Sequence, residues 1–317
     1  MIGVTETSKL CQSVVTEVER AIVGKNRLLE QIMIACLAGG HILLEDYPGL
    51  GKTILSKSFA AALGLSFKRI QFTPDLLPGD ITGGYVFNRA EDRFELRPGP
   101  IFANIILADE INRASPKTQS ALLEAMQEVQ VTLEGETMKL EEPFIVIATQ
   151  NPIEYEGTFP LPEAQLDRFL LKLSVGYPSQ EAEQEMLKRR RLRSHDEVKI
   201  QRVLDGNTLL EMRRVVEQVH VEPDLERYIV ALVQATRKDR RVVVGASPRG
   251  SLALLKVSRA QAALDGRDYI IPDDIKTFIH PALAHRIILE PEFWMKQQAI
   301  SEILDQIAET VPVPVLE

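Results

Sequence analysis

The sequence has few of the residues that build disulfide frameworks, zinc sites or large aromatic cores. Its 317 residues include two cysteines and one tryptophan, and only 6% are aromatic. Cys11 and Cys36 stand apart, with neither a CxxC pair nor a histidine cluster nearby, so neither a disulfide framework nor a zinc site is implied. Cys36 lies in the apolar run IMIACLA, where we predict a small core residue.

Two further features are missing, an excess of basic residues and a long hydrophobic run. The chain has 37 Lys and Arg against 45 Asp and Glu, a net charge of −8, which is not typical of nucleic-acid-binding proteins. No apolar stretch reaches the roughly 18 residues of a membrane span, and the N-terminus does not resemble a signal peptide. We expect no nucleic-acid partner, no membrane span and a cytoplasmic location.

The composition is that of a globular protein, and the length favours two domains. Up to Pro178, short apolar strands alternate with helices, which predicts a parallel sheet covered on both faces. Four strands are predicted, in HILLED, IFANIILADE, FIVIATQNP and the apolar segment after QLDRF, with two hairpins turning at residues 89–92 and 134–136. From residue 179 onward the patterns are helical. We therefore predict an α/β domain over residues 1–178 and a smaller all-α domain over residues 179–317.

The segment LLEDYPGLGKTILS, residues 43–56, predicts a phosphate-binding loop between a strand and a helix. Gly49 and Gly51 stand where such a turn needs positive φ or close approach to phosphate. Lys52 would reach the β- and γ-phosphates, and the Thr53 hydroxyl would bind Mg²⁺. Asp46 stands where the general pattern has its first glycine.

Two acids and an amide end the later strands. Asp109 and Glu110 close the run IILADE, where one carboxylate would hold Mg²⁺ and the other would orient or deprotonate the attacking water. Asn151, after the strand in VIATQNP, would lie beside the γ-phosphate, although Asn-Pro also marks ordinary turns.

Two arginines are candidate phosphate ligands. Arg168, in EAQLDRF, could reach a nucleotide on a neighbouring subunit, or form a surface pair with Asp167. Arg249 follows Ser247 and Pro248, which predict a helix start, and a cation is electrostatically disfavoured there unless a phosphate compensates it. The basic run KRRRLR, residues 188–193, is interpreted as a solvated helix face or a subunit contact rather than a nucleic-acid site.

Long blocks of the sequence resemble the MoxR family of AAA+ ATPases, in its helix-2-insert branch. They include residues 22–53, FTPDLLPGDITG, ILADEINRASPKTQSALLEAMQE, IATQNPIEYEGTFPLPEAQLDRF and GASPRGS. The resemblance implies a P-loop NTPase core with a helical lid, ATP and Mg²⁺ as cofactors, and Mg²⁺ binding by Thr53 and Asp109. It further implies that Glu110, Asn151, Arg168 and Arg249 are catalytic, and that ATP is bound by Val23, Gly24, Pro48, Gly49, Leu50, Gly51, Lys52, Thr53 and Ile54.

The same resemblance implies an ATP-hydrolysing chaperone that remodels, matures or assembles partner proteins. A hexameric ring is expected, with clients or partners that carry von Willebrand factor A domains, and with metal insertion or complex assembly as roles. The two hairpins are expected to face the pore of the ring and contact the client. Such families often have an acid at position 46, so we expect the Asp46 carboxylate to turn away from the phosphates.

Several alternatives stay open. Arg113, shortly after Glu110, competes with Arg168 as the arginine that reaches across an interface. Arg249 could act on its own nucleotide or on a neighbour's. At the level of function, the alternatives are an AAA+ nucleic-acid motor and a nucleotide-gated scaffold with little turnover.

Overall fold

The computed structural model describes residues 2–152, 157–296 and 298–314. The helices, in chain order, are α1 (Val4–Glu19), α2 (Asn26–Leu37), α3 (Lys52–Ala62), α4 (Pro78–Thr82), α5 (Pro116–Glu128), α6 (Glu163–Leu166), α7 (Gln180–Arg193), α8 (Gly206–Glu217), α9 (Pro223–Thr236), α10 (Pro248–Leu264), α11 (Pro272–Thr277), α12 (Ile279–Leu283) and α13 (Ala299–Thr310). The strands are β1 (Ile42–Glu45), β2 (Phe67–Gln71), β3 (Gly83–Asn88), β4 (Arg93–Pro98), β5 (Ile105–Asp109), β6 (Gln130–Leu133), β7 (Glu136–Lys139), β8 (Ile145–Gln150), β9 (Leu171–Leu173), β10 (Val242–Val244) and β11 (Ile288–Leu289).

The central sheet has the strand order β2-β5-β8-β1-β9, and every pairing in it is parallel. Side chains alternate between its faces, so the neighbours Leu43 and Leu44 of β1 lie in different hydrophobic clusters. One cluster holds α5 against the sheet, and the other joins α1, α2 and α3 to the helices of the second domain. The prediction of a parallel sheet covered on both faces is confirmed.

The sheet has five strands, not the four predicted. The missed strand, β2, lies at the end of the sheet, where Lys68 and Arg69 are exposed and Ile70 is buried. An edge strand of this kind lacks the continuous apolar run that marked the other four. Both predicted hairpins are confirmed: β3 pairs with β4, and β6 pairs with β7.

The second domain is mainly helical, as predicted. The expectation that no strand follows residue 178 is wrong in one detail, because β10 and β11 form a short antiparallel ribbon. The β-branched run Val242–Val244 favours a strand, but three residues are too few to distinguish from a loop by pattern. We keep residue 178 as the proposed domain boundary, since β9 ends at Leu173 and α7 begins at Gln180.

No helix in the described ranges is long and apolar enough to span a membrane.

His41, which precedes β1, connects the start of this strand to α5 and β8 through its two ring nitrogens. Its Nε2 lies 2.9 Å from the carbonyl oxygen of Met126, and its Nδ1 lies 3.0 Å from the backbone nitrogen of Val146. Since the Val146 N–H needs an acceptor, Nδ1 is unprotonated and Nε2–H donates to Met126. Burial lowers the pKa of His41 to about 4, so the neutral ring is part of the folded structure.

We predict that His41 makes the protein less stable as the pH falls below 6.5. The unfolded chain takes up a proton near the ordinary pKa of 6.5, whereas the folded chain does so only near 4. At pH 5 this difference lowers the free energy of unfolding by about 2 kcal/mol. Urea unfolding at pH 7 and pH 5 should show a smaller loss for His41→Gln than for the wild type. The exposed His195→Gln is the control and keeps the wild-type loss; equal losses in all three proteins would contradict the assignment.

Candidate active site

The phosphate-binding loop predicted from the sequence lies between β1 and α3. Gly49 and Gly51 have φ of 84° and 78°, a backbone conformation that L side chains rarely adopt, which confirms the prediction of positive φ. A Cβ at either position would meet nothing within 4 Å, so the turn has an open surface at the N-terminus of α3. Backbone N–H groups at such a helix start attract anions. Lys52 Nζ lies 2.7 Å from the carbonyl oxygen of Asp46.

The Asp46 side chain turns away from this open surface, as predicted. It is only 5% exposed and accepts hydrogen bonds from the Ser174 hydroxyl at 3.1 Å and from the backbone N–H groups of Val175 and Gly176. Three donors therefore compensate the burial of this carboxylate.

Asp109 ends β5 and is held by polar side chains of both neighbouring strands. Its Oδ1 accepts a hydrogen bond from the Thr149 hydroxyl of β8 at 2.7 Å. Its Oδ2 lies 2.6 Å from the guanidinium of Arg69 in β2, whose side chain is 47% exposed. Contacts to both carboxylate oxygens therefore fix the orientation of Asp109. One of them comes from the positively charged, partly exposed Arg69.

Glu110 has a left-handed backbone, with φ of 58° and ψ of 49°. This conformation costs a non-glycine residue about 1–3 kcal/mol and is found preferentially at functional sites. The Glu110 N–H donates to the Thr149 hydroxyl at 2.8 Å. Its carboxylate accepts a hydrogen bond from Gln71 Nε2 at 2.8 Å and lies 3.0 Å from a guanidinium nitrogen of Arg113.

Parallel pairing brings these groups to one side of the sheet, which we call the carboxyl edge. Leu44 pairs with Thr149 and Gln71 pairs with Asp109, so the ends of four strands meet there. Asn151 follows β8 and is 6% exposed. Burial lowers the pKa of Lys52, whereas the charges of Asp46, Asp109 and Glu110 oppose that shift. The lysine and the three carboxylates therefore share one electrostatic environment.

A cleft of about 630 Å³ opens beside α3, and its lining combines the apolar side chains of Val23, Ile54 and Met186 with charged ones such as Lys57 and Arg189. We call it the base cleft; its walls come from the segment after α1, from α3 and from α7. Gly24 has a φ of +72°, and a Cβ there would lie 2.6 Å from the Cβ of Ala182 in α7. The glycine therefore permits close approach of α7. Pro48, Leu50 and Thr53, the remaining predicted nucleotide ligands, lie on the loop and the first turn of α3.

The residues of the carboxyl edge fit a nucleotide with magnesium. The open turn at Gly49 and Gly51 leaves room for phosphates, and a Cβ would narrow it. Magnesium in such sites takes one or two protein oxygens, together with phosphate oxygens and water, so a dedicated carboxylate cage is not required. Thr53 and Asp109 would supply the protein oxygens.

Arg168 and Arg249 lie at the opposite side of the sheet, the amino edge. Both line a cleft of about 400 Å³ that also includes His41, which precedes β1, and Phe144, which precedes β8. His41 and Asp46, where the loop begins, are five positions apart along extended chain, a separation of roughly 16 Å. Neither arginine lies beside the chain's own phosphate loop.

Asp167 precedes Arg168 in the chain and lies near Arg249 and the start of α10. Arg168 is the next residue and donates to the carbonyl oxygen of Leu123 at 2.6 Å. Arg249 Nε lies 3.9 Å from an Asp167 oxygen. Ser247, which caps α10 as predicted by accepting from the Arg249 N–H, donates its hydroxyl to Asp167 at 2.9 Å.

Arg286 is a buried residue that holds the Asp167 side chain in position. It is 8% exposed, its Nε lies 2.9 Å from Asp167 Oδ1, and its Nη2 donates to the carbonyl oxygen of Phe169 at 2.8 Å. Burial lowers the pKa of Arg286 to about 10, while Asp167 opposes the shift, so the guanidinium stays charged at neutral pH. Arg286 thus joins the helical domain to the start of β9.

The comparisons with known proteins agree with this architecture. A model of the ATPase family associated with various cellular activities matches residues 41–171, and a model of the AAA lid domain matches residues 234–307. Uncharacterized protein YeaC of Bacillus subtilis is 50% identical over 95% of this chain and 94% of its own length. Chaperone MoxR1 of Mycobacterium tuberculosis is 42% identical over 94% of this chain and 81% of its own.

A solved structure from Cytophaga hutchinsonii has 40% sequence identity and a TM-score of 0.90, covering 98% of this chain and 96% of that one. A parallel sheet with a phosphate-binding loop and a helical lid defines the class as an AAA+ ATPase. Within that class, the chain belongs to the MoxR family.

Several contacts of the site were not predicted. Gln71 and Arg69 lie on the missed strand β2, where the alternating polar pattern of FKRIQF was the available signal. Thr149 was hidden in an apolar strand. Nothing in the sequence near Arg286 indicated that it meets Asp167, because 118 intervening residues separate them and only the packed lid brings them together.

We predict that Arg286→Met lowers the thermal unfolding midpoint strongly, because it leaves the Asp167 carboxylate without its buried partner. The expected cost is about 3–5 kcal/mol. Asp167→Asn combined with Arg286→Met should be less destabilising than the sum of the single changes, since the two groups interact directly. Differential scanning calorimetry on the four proteins measures this coupling, and strict additivity would contradict the ion pair.

Proposed function

We propose that this chain hydrolyses ATP with magnesium and, as a ring of copies, uses the turnover to remodel or assemble partner proteins. The observation that carries the proposal is the division of the site between the two edges of the sheet. Lys52, Asp109 and Glu110 lie at the carboxyl edge, whereas Arg168 and Arg249 share a cleft at the amino edge. A complete catalytic set therefore requires two copies.

The proposed roles at the carboxyl edge follow from charge and position. The turn at Gly49 and Gly51 would bind the phosphates, and Lys52 would leave the Asp46 carbonyl to bind the β- and γ-phosphates. Thr53 and Asp109 would hold magnesium, whose contribution when bound is to neutralise phosphate charge. Glu110 would orient or deprotonate the attacking water, with Asn151 beside it.

At the base end of the site, the apolar side chains within the base cleft support binding of adenine, and the basic residues that share its lining favour an anionic ligand. Val23 and Ile54 line its walls, and Gly24 allows α7 to approach. Met186 of α7 adds a residue from the second domain, so the nucleotide would bridge the two domains.

The position of the arginines supports action in trans. Arg113 pairs with Glu110 on the carboxyl edge, so Arg168 is the better candidate for the arginine that reaches a neighbour's nucleotide. Arg249 shares the cleft of Arg168 and would act on the same neighbour. Head-to-tail contacts of this kind close into rings, and a hexamer is the family expectation.

The hairpins support contact with a partner protein. Phe87 of β3 and Phe94 of β4 are 46% and 68% exposed, and their rings meet edge to face at 5.2 Å. Tyr85 donates to Glu136 at 2.8 Å, which links the first hairpin to the second. The family resemblance, rather than a contact in this chain, is what points to partners with von Willebrand factor A domains, to metal insertion and to complex assembly.

We predict that Glu110→Gln abolishes turnover but keeps ATP binding. Replacing the carboxylate by an amide removes the proposed base, whose contribution is about 10²–10⁴-fold, while leaving the phosphate loop intact. Phosphate release measures turnover, and a fluorescent ATP analogue measures affinity. Glu309→Gln, an exposed acid on α13, is the control and keeps both. Turnover that persists in Glu110→Gln would refute this role, and a wild type that binds ATP without turnover would favour the scaffold alternative.

We predict that Arg168→Ala reduces turnover by about 10³-fold, as expected for an arginine finger. ATP affinity measured on the dilute protein should not change, because the chain's own phosphate loop lies at the opposite edge. The exposed Arg227→Ala on α9 is the matched control. The trans role would be wrong if Arg168→Ala weakened ATP binding by the isolated chain, or if it turned over ATP at the control rate.

A further inference from the structure

Every polar group of Asp46 forms a hydrogen bond, and its partners lie on three different segments of the chain. Its N–H donates to the carbonyl oxygen of Gln150 at the end of β8, at 3.1 Å. Its carbonyl oxygen accepts from Lys52 Nζ at 2.7 Å. Its carboxylate accepts from Ser174, Val175 and Gly176, directly after β9. Since β1 lies between β8 and β9, one residue connects the phosphate loop to both neighbouring strands.

The general phosphate-loop pattern has glycine at this position, but a glycine here could not form the contacts of the Asp46 side chain. Asp46 is not among the residues with positive φ, so its backbone does not need the freedom of glycine. A glycine would remove the carboxylate and leave the Val175 and Gly176 N–H groups without their acceptor. Hydrogen bonds to a charged group are stronger than those between neutral groups, and an unsatisfied buried N–H is costly.

The segment bonded to Asp46 leads directly to the wall of the base cleft. Residues 174–179, which we call the linker, join β9 to α7, and α7 contributes Met186 to that cleft. Two further contacts fasten the linker beside the loop. The ring of Tyr47 stacks on that of Tyr177 at 6.1 Å, and Lys25 Nζ donates to the Tyr177 carbonyl at 2.7 Å.

We propose that Asp46 is a positioning residue that couples the phosphate loop to the linker, so that nucleotide binding orders the linker and the start of α7. The inference rests on the proposed function, because a nucleotide must occupy the loop. A phosphate that attracts Lys52 removes the charge-assisted bond to the Asp46 carbonyl. The hydrogen bonds from the linker to the Asp46 carboxylate then remain. They connect the phosphate loop to α7, so that both segments contact the same nucleotide.

Hydrogen exchange of the full chain, followed by mass spectrometry, tests this coupling. Without nucleotide, peptides that contain Val175 and Gly176 should exchange about tenfold faster in Asp46→Asn than in the wild type, which corresponds to about 1.4 kcal/mol. With ADP and magnesium, the linker and the start of α7 should become protected in the wild type. Asp46→Asn should still bind a fluorescent nucleotide but should lose this protection.

Glu45→Gln is the matched control, because it removes a neighbouring acid that pairs with Lys172 rather than with the linker. It should keep the wild-type exchange in both states. Asp46→Gly removes both acceptor oxygens, whereas Asn keeps one neutral oxygen, so Asp46→Gly should show at least the effect of Asp46→Asn. Ser174→Ala, which loses one donor only, should show a smaller effect in the same direction. Ser174→Ala also keeps the test decisive if the Asp46 variants do not fold.

Two results would overturn the coupling. The first is that nucleotide protects the linker of Asp46→Asn as strongly as that of the wild type. If the Asp46 variants do not fold, the same result in Ser174→Ala has this meaning. The other is an equal loss of protection in Glu45→Gln. Failure of the proposed function is a different result: the wild type would bind no nucleotide at all, while the faster exchange of Asp46→Asn in the free protein would remain visible.

Discussion

The constraint on which the whole account depends is the parallel pairing of the central sheet. Parallel strands end on the same side, so the loop after β1, the acids after β5 and the amide after β8 meet at one edge. The same geometry places every strand start at the other edge. Arg168 lies three residues before the start of β9, and therefore at the edge opposite the phosphate loop. We therefore propose that the arginines of the amino edge act on the nucleotide of a neighbouring copy.

Buried charges hold this division in place. Asp46 fastens the carboxyl edge to the linker, and Asp167 with Arg286 fastens the amino edge to the lid. In both cases a core carboxylate is bonded by groups that follow in the chain, at or beyond the end of β9. A buried charge is costly without its partners, so each tie specifies one arrangement of core and lid. The strained backbone of Glu110 is a third fixed feature, held by Thr149.

The sequence was sufficient where function depends on short, continuous patterns. The loop at Gly49–Thr53, the acids at the end of β5, the two hairpins and the capped start of α10 were all predicted, because each is specified by residues a few positions apart. Prediction failed where strands or side chains are defined by tertiary neighbours. The exposed strand β2 has no apolar run, the ribbon of β10 and β11 is too short to show a period, and the partners of Asp46 and Arg286 are distant in sequence.

Mixing two inactive variants tests the central claim most directly. Lys52→Ala removes the phosphate lysine but keeps the amino-edge arginines, and Arg249→Ala does the reverse. If the arginines act on a neighbour, about a quarter of the interfaces in a ring assembled from an equal mixture combine an intact loop with intact arginines. The account predicts that ATP turnover reappears on mixing. Turnover that stays at the level of the separate variants, in mixtures where mixed assembly has been verified by pull-down of one tagged variant with the other, would contradict it.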